Sequence, residues 1–405
     1  MALYQALDRY KVFLRQPNVS RILLTSFFAR MPIGMMSLAI LMYLHHVLDS
    51  LSFAGGHVGI YMVSMSIAAP IGGRLIDRYG AKLLLWITAI VHPLALWAML
   101  LPAWFPSWGL PNSLMTVCMI LAGLFCPPIV VLTRAVWRYR FNAADLRQTA
   151  FSFDTVLTEL NFVTGPMLIA LILIFSSPTA AFALTAFCAT LAVPLFLLSG
   201  AGHYVKHDRT IERRLLGPLT EPKLLWTFAI SFATMMALGT LELAYPTFAT
   251  GYGKEFWGGI LIAFSAVGSA TGGIVYGGLR IRTHNEKILP ILLAALLVFT
   301  TLHMLAMVPG WLLLCSLFAG MMVAPSLTVL TVMVTDYAPE RYTAEAFTWS
   351  STCVVSGIGA GMALGGVLGD HFGLMAIFAL AAVCCVVALL LSLVLKKSTG
   401  LSVFG

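Results

Sequence analysis

Charge is what this chain has least of. Only 10% of its residues are Asp, Glu, Lys or Arg, against about 25% in soluble globular proteins. Polar stretches are equally scarce. The longest is "GAGHYVKHDRTIERRLLGPLTEPK", residues 200–223, so the sequence carries no extended soluble domain. It also has no glycine-rich loop ending in Lys-Ser/Thr to cradle nucleotide phosphates, which argues against an ATP-driven pump. Seven cysteines are scattered without a C-x-x-C pair. Cys384 and Cys385 are adjacent in an apolar run and read as small packing residues. No nucleophile, general-base or metal set has recognisable spacing, so an enzyme, a metal centre and a cofactor are not expected. The formal charge of +8 forms no stripe for nucleic acid. The basic residues come in small groups between apolar runs, which suits flanks facing anionic lipid.

Apolar residues make up 60% of the chain. A membrane-spanning helix needs about 20 of them in a row. That window gives spans near 22–45, 57–76, 82–102, 112–134, 148–174 and 180–200, then near 224–248, 257–278, 288–308, 311–335, 343–368 and 372–395. Runs of this length form helices rather than barrel strands, because backbone groups in hydrocarbon must be satisfied internally. The opening segment "MALYQALDRYKVFLRQPNVSR" is mixed in character, and the run from Ile22 is long enough to span. The first span is therefore expected to stay as an anchor rather than leave as a signal peptide.

Basic residues set the expected orientation. Arg9, Lys11, Arg15 and Arg21 precede span 1. The joints after the even-numbered spans hold Arg78 and Lys82, then Arg138, Arg140 and Arg147, then the 200–223 cluster, then Arg280, Arg282 and Lys287, then Arg341. The opposite joints hold Lys254 and almost nothing else. Both termini are thus expected on the cytoplasmic side of a cell membrane, the inner one in a bacterium.

The two halves read as repeats. "LAGLFCPPIVVLT" at 121–133 matches "FAGMMVAPSLTVLT" at 318–331, and Gly123 and Gly320 are 197 residues apart, as are Pro128 and Pro325. "GIYMVSMSIAAPIGG" from Gly59 matches "GILIAFSAVGSATGG" from Gly259, and "AFSFDT" at 150–155 echoes "AFTWSS" at 346–351. The expected organisation is a six-helix bundle over 1–200, a cytoplasmic connector over 201–223 and a second six-helix bundle over 224–405. Two like halves suit a central site that opens to one side and then the other.

One joint is unusually rich in charge and glycine: "GGRLIDRYGAK", residues 72–82. From Gly73 to Lys82 it resembles the loop 2–3 signature of the major facilitator superfamily, Gly-x-Leu-x-Asp-Arg-x-Gly-Arg-Lys/Arg, with Ala81 in place of the usual arginine. The resemblance implies an all-α membrane protein of two six-helix bundles related by a pseudo-two-fold axis. It also implies a monomer that moves a small-molecule substrate through a lipid membrane. Asp77 would latch the start of helix 11, near Tyr342–Glu345, as an acceptor for free backbone amides. Gly73, Asp77, Arg78, Gly80, Lys82, Arg341 and Glu345 would form a cytoplasmic gate, joined by Asp336 and Glu340. The second copy, "GGIVYGGLRIR" at 272–282, has Gly277 where Asp77 stands, so the latch is expected on one side only.

Ionisable residues inside spans are functional candidates by default. Arg30 lies eight residues into span 1, about 12 Å deep at 1.5 Å per residue, and Pro32 and Gly34 mark a place where that helix can bend. Asp154 and Glu159 lie in span 5, and either could neutralise Arg30. A carboxylate tuned by burial and a neighbouring arginine is what proton coupling needs, so Glu159, Asp154 and Arg30 are the proton-coupling candidates. The alternative is a fixed ion pair joining spans 1 and 5. Glu242 in span 7 is placed towards the outer end. It could bind a cationic substrate, carry a proton, hydrogen-bond across a gate, or stay wet at the interface. Arg134, with Trp137 and Tyr139, reads as headgroup anchoring. His45, His46 and His57 read as interface histidines, and His92 and His303 as packing residues. Gly165-Pro166 keeps only the end of a pattern found in exporters of the resembled family. The leading expectation is therefore proton-coupled efflux by antiport. The alternatives are a proton-coupled uptake symporter and a non-transporting receptor of the same fold.

Overall fold

The computed structural model describes residues 12–104, 112–141, 144–200, 217–278, 284–305, 307–339 and 343–398. Among the described residues, twelve helices are long and apolar enough to cross a membrane. They are α1 Val19–Leu48, α2 Leu51–Tyr79, α3 Ala81–Ala98, the two-part α4 (Asn112–Leu124 and Ile129–Arg140), α5 Ala144–Phe175 and α6 Pro178–Leu198. The second set is α7 Pro222–Gly251, α8 Phe256–Gly278, α9 Asn285–Leu302, α10 Pro309–Tyr337, α11 Thr343–Phe372 and α12 Leu374–Ser398. The protein is an all-α, multi-pass membrane protein. Large apolar side chains face outward, with Phe175 81% exposed and Ile274 76% exposed. Such a surface is stable against hydrocarbon and not against water.

Prolines punctuate these helices without ending them, for example Pro32 in α1, Pro166 in α5 and Pro246 in α7. Membrane helices tolerate this because neighbours can satisfy the freed carbonyls. The bend expected at Pro32 does not interrupt α1. The fourth span breaks over residues 125–128, where Pro127 and Pro128 remove two successive donors, and the third turns at Met99–Leu100 before a short helix, Leu101–Trp104.

Packing repeats with a shift of six helices. In the first set α1 packs on α2, α5 and α6, α2 on α4, and α3 on α4 and α6. In the second set α7 packs on α8, α11 and α12, α8 on α10, and α9 on α10 and α12. The matched glycines show why sequence and packing repeat together. A methyl group on Gly123 would strike the carbonyl oxygen of Tyr61, and one on Gly320 would strike that of Ser265. Each glycine thus lets its helix, α4 or α10, lie directly on the backbone of α2 or α8.

The two sets meet chiefly through α2 against α11 and α5 against α8. Here too a repeat pair serves both crossings. A methyl on Gly59 would stand 2.7 Å from the Gly359 carbonyl oxygen, and one on Gly259 would stand 2.5 Å from that of Pro166. For reference, the end holding the turns 48–51, 175–178, 251–256 and 372–374 is called the turn end, and the other the connector end.

Trp137 departs from expectation. It is fully buried, with its ring 5.8 Å from Phe13 and 6.2 Å from Phe141. The segment before α1 folds over α4 and covers it, which a reading span by span could not foresee.

Candidate functional site

A cavity of about 310 Å³ lies between the two sets of helices. Seven helices line it: α1, α2 and α5 from the first set, and α7, α8, α10 and α11 from the second. Its walls are mostly apolar. Met36, Met62, Met65 and Met235 contribute sulfur and flexible methylenes, and Tyr61 and Phe162 contribute rings. Ser37, Ser265 and Ser269 supply hydroxyls. The repeat is visible in the lining: Met62 and Met65 occupy the positions in "GIYMVSMS" that Ile262 and Ser265 occupy in "GILIAFSA".

Glu242 is the only carboxylate, and the only charged group, among the described lining residues. The sequence reading placed it towards the outer end of span 7. In the fold it sits at cavity level on α7, nine residues before the helix ends at Gly251. The side chain is half-buried, and none of the described side chains hydrogen-bonds or ion-pairs with it. One turn further along α7, the Tyr245 hydroxyl lies 3.1 Å from His303 Nε2, and Phe378 stacks on that imidazole.

Arg30 and Asp154 come together. Arg30 Nη2 donates to Asp154 Oδ1 at 2.5 Å, and both side chains are 1% exposed. Arg30 Nη1 also donates to Thr158 Oγ1 at 3.2 Å. Helical periodicity explains the choice of partner, since residues four apart share a face and so Thr158 stands beside Asp154. A methyl on Gly165 would stand 2.6 Å from the Gly34 carbonyl oxygen, so α1 and α5 touch backbone to backbone one turn beyond Arg30 on α1 and about three turns beyond Asp154 on α5. The pair is not part of the cavity lining.

The gate residues are partly described. Gly80 is the single residue between α2 and α3, at φ 83° and ψ 157°, a conformation in which essentially only glycine is unstrained. Lys82 follows it and is exposed. Glu345 is buried in the first turn of α11, where an acid complements the helix dipole. Gly73, Asp77 and Arg78 sit on the last turns of α2, and Glu159 on α5. Beyond that helical position these four, and Arg341 altogether, lie outside the described residues. Glu286, which the sequence reading did not single out, accepts a hydrogen bond from Tyr337 at 2.7 Å and so ties α9 to α10 at this end.

The turn end holds a contact that the sequence reading missed. Asp370, in the last turn of α11, caps the start of α2 from the other set of helices. Its carboxylate accepts from the amides of Leu51 at 2.9 Å and Ser52 at 2.7 Å, and from Ser50 Oγ at 3.0 Å. Ser50 is itself the N-cap of α2 and accepts from the Phe53 amide. Below the latch, Gly366 lies against the Leu51 carbonyl, Gly55 against that of Met362 and Gly59 against that of Gly359. These contacts hold α2 against α11 on the turn-end side of the cavity. One available signal was an acid ending a glycine-rich helix opposite a serine N-cap.

The histidines fill packing roles. His57 bridges the Phe53 carbonyl and Thr116 Oγ1, and His92 bonds the Ala122 carbonyl at 2.7 Å. No group of three or more His, Cys, Asp or Glu able to hold a metal occurs among the described residues.

The shape of the chain is similar to that of solved transporters. The nucleoside transporter NupG superposes with a TM-score of 0.72 at 13% identity, covering 96% of this chain and 100% of that one. A POT family transporter in complex with 5-aminolevulinic acid gives 0.70 at 13% identity, over 94% and 96% of the two chains. The peptide transporter POT gives 0.70 at 15% identity, over 94% and 93%. At these identities the likeness is one of fold. No curated protein matches the sequence. The family model described as Major Facilitator Superfamily matches residues 22–309 and again residues 259–402, so that together the two matches reach from α1 into the end of α12. The chain therefore belongs to the major facilitator superfamily, and two like sets of helices around one cavity make it a secondary transporter of the alternating-access type.

Proposed function

We propose that this protein takes up a small organic solute through the central cavity, in symport with protons. The observation that carries this reading is the cavity itself. It lies between the two halves and is lined by both, and α2 and α11 are joined on its turn-end side by Asp370 and the glycine crossings. By the positive-inside rule the connector end faces the cytoplasm. Asp77 would then latch the connector end when the turn end opens, with Arg78, Lys82, Arg341 and Glu345 around it.

Efflux, the leading expectation from Gly165-Pro166, gains nothing from the comparisons. Gly165 acts in helix packing and Pro166 lines the cavity, and neither role sets a direction. The solved neighbours are named as nucleoside and peptide transporters, which supports the uptake alternative for direction and carries nothing about the solute of this chain. Arg30 and Asp154, joined as an ion pair between α1 and α5, and Glu159, further along α5, are the proton-coupling candidates, because they are ionisable residues inside spans.

The test is flux in proteoliposomes with a panel of nucleosides, peptides and organic cations under an imposed proton gradient. Right-side-out vesicles with acid outside should accumulate the solute. Accumulation instead in inverted vesicles with an acid lumen would establish antiport. Saturable binding without flux under any gradient would establish a receptor. Asp154→Asn and Glu159→Gln are assayed together, because two nearby carboxylates can share one proton. If both keep the wild-type dependence on the gradient, the proton site lies elsewhere.

A further inference from the structure

Resting on the reading of the cavity as the transport path, we propose that its solute is a lipophilic organic cation whose positive centre is held by Glu242. The cavity's chemistry excludes the other classes one by one. A sugar-like solute brings many hydroxyls, and each one buried without a partner is costly. The walls answer with three serines, and the Tyr61 hydroxyl is directed to Cys126 Sγ. An anion or a zwitterion needs a cationic partner, and no basic side chain lies among the described lining residues. Arg30, the buried cation on a lining helix, is bound to Asp154 and stands outside the lining.

What remains is one carboxylate in an apolar chamber. Glu242 faces the space from α7 with no cationic or hydrogen-bonding side chain joined to it among the described residues. Holding a carboxylate as an anion at an apolar wall without a counter-charge is costly, and a bound cation would offset that cost. Met36, Met62 and Met235 are polarizable, unbranched and able to repack around bodies of different outline, and Tyr61 and Phe162 add aromatic lining. The cavity volume of about 310 Å³ falls at the low end of the range of roughly 300–1,000 Å³ typical of small-molecule sites. The geometry therefore fits a compact monocation with an aromatic or aliphatic body. It does not fit a dication, which would leave one charge unmatched.

The probe is tetraphenylphosphonium, with tetraphenylborate as its counterpart of like size and opposite charge. Equilibrium dialysis with the purified full-length protein should give saturable binding of the cation and none of the anion. Glu242→Gln should weaken cation binding by at least about tenfold, the scale of a lost charge-assisted contact. Glu242→Asp should retain part of the affinity. A thermal melt unchanged from wild type shows that the Gln variant is folded. Equal binding of cation and anion, no saturable cation binding to wild type, or wild-type affinity in Glu242→Gln would each overturn the proposal. Flux separates it from the reading beneath it. Cation binding that depends on Glu242, with no flux of any solute, defeats the transport reading and leaves the site standing. Gradient-driven flux of a neutral solute, untouched by Glu242→Gln or by the phosphonium, defeats the cation site and leaves transport standing.

Discussion

In the first six helices Gly123 brings α4 onto the backbone of α2, and in the last six Gly320 brings α10 onto that of α8. Gly59 and Gly259 likewise stand at the two crossings that join the halves. The charges follow no such symmetry. The first half buries an ion pair, Arg30 with Asp154, away from the cavity. The second half turns a single carboxylate, Glu242, into the cavity. The latch at the turn end is also one-sided, with Asp370 of α11 capping α2. Backbone contact leaves no room for a side chain, so the packing glycines stay paired after duplication. A charge need stand in only one half to serve a site both halves share.

Breaking the buried pair should have the largest effect on stability. Arg30→Met leaves Asp154 alone in an apolar interior and should cost about 3–5 kcal/mol, read as a lower melting temperature in detergent. Arg30→Met with Asp154→Leu should recover most of that loss. If the double variant also keeps proton-driven flux, the pair is purely structural and the asymmetry between the halves loses its functional meaning.

The glycine pair comes next. Gly123→Leu and Gly320→Leu should each destabilise by about 1–3 kcal/mol or more through overpacking, and to a similar degree. A melt in which one is tolerated and the other is not would show that the repeat positions are no longer equivalent.

Asp370→Asn should act on conformation more than on folding. Losing a charged cap costs about 1 kcal/mol, which is roughly a fivefold shift in the balance between closed and open turn ends. Spin-label distances across α2 and α11 at that end should lengthen in part of the population. An unchanged distance distribution would reduce the latch to a local helix cap. Glu242→Gln removes a carboxylate that has no described side-chain partner to lose, so the melting temperature should stay at or above the wild-type value while cation binding weakens.

Much of the fold was legible because hydrophobic run length, loop charge and glycine spacing are local properties. The twelve spans, the repeat and the one-residue turn at Gly80 all follow from them. Side-chain partnerships were harder to read. Arg30 could be placed opposite span 5, but choosing Asp154 needed the rotation of α5, which brings Thr158 beside it. Asp370 was invisible because its partners are the backbone amides of Leu51 and Ser52, some 320 residues away in sequence. Glu242 was read as lying towards the outer end from its distance along the helix. Its place at the cavity depends on how α7 packs against α8, α10, α11 and α12. Trp137 was assigned to the interface by residue type, and tertiary packing by Phe13 overrode that preference.

The central claim is that the cavity opens to the two ends in turn. The most direct test joins the halves at the turn end. In a chain whose seven native cysteines are replaced, Ser50→Cys and Asp370→Cys put two thiols at neighbouring positions whose side chains now touch, Ser50 Oγ lying 3.0 Å from Asp370 Oδ2. Oxidation to the disulfide should abolish flux in proteoliposomes, and reduction should restore it. Flux that continues at the wild-type rate in fully cross-linked protein would contradict the account.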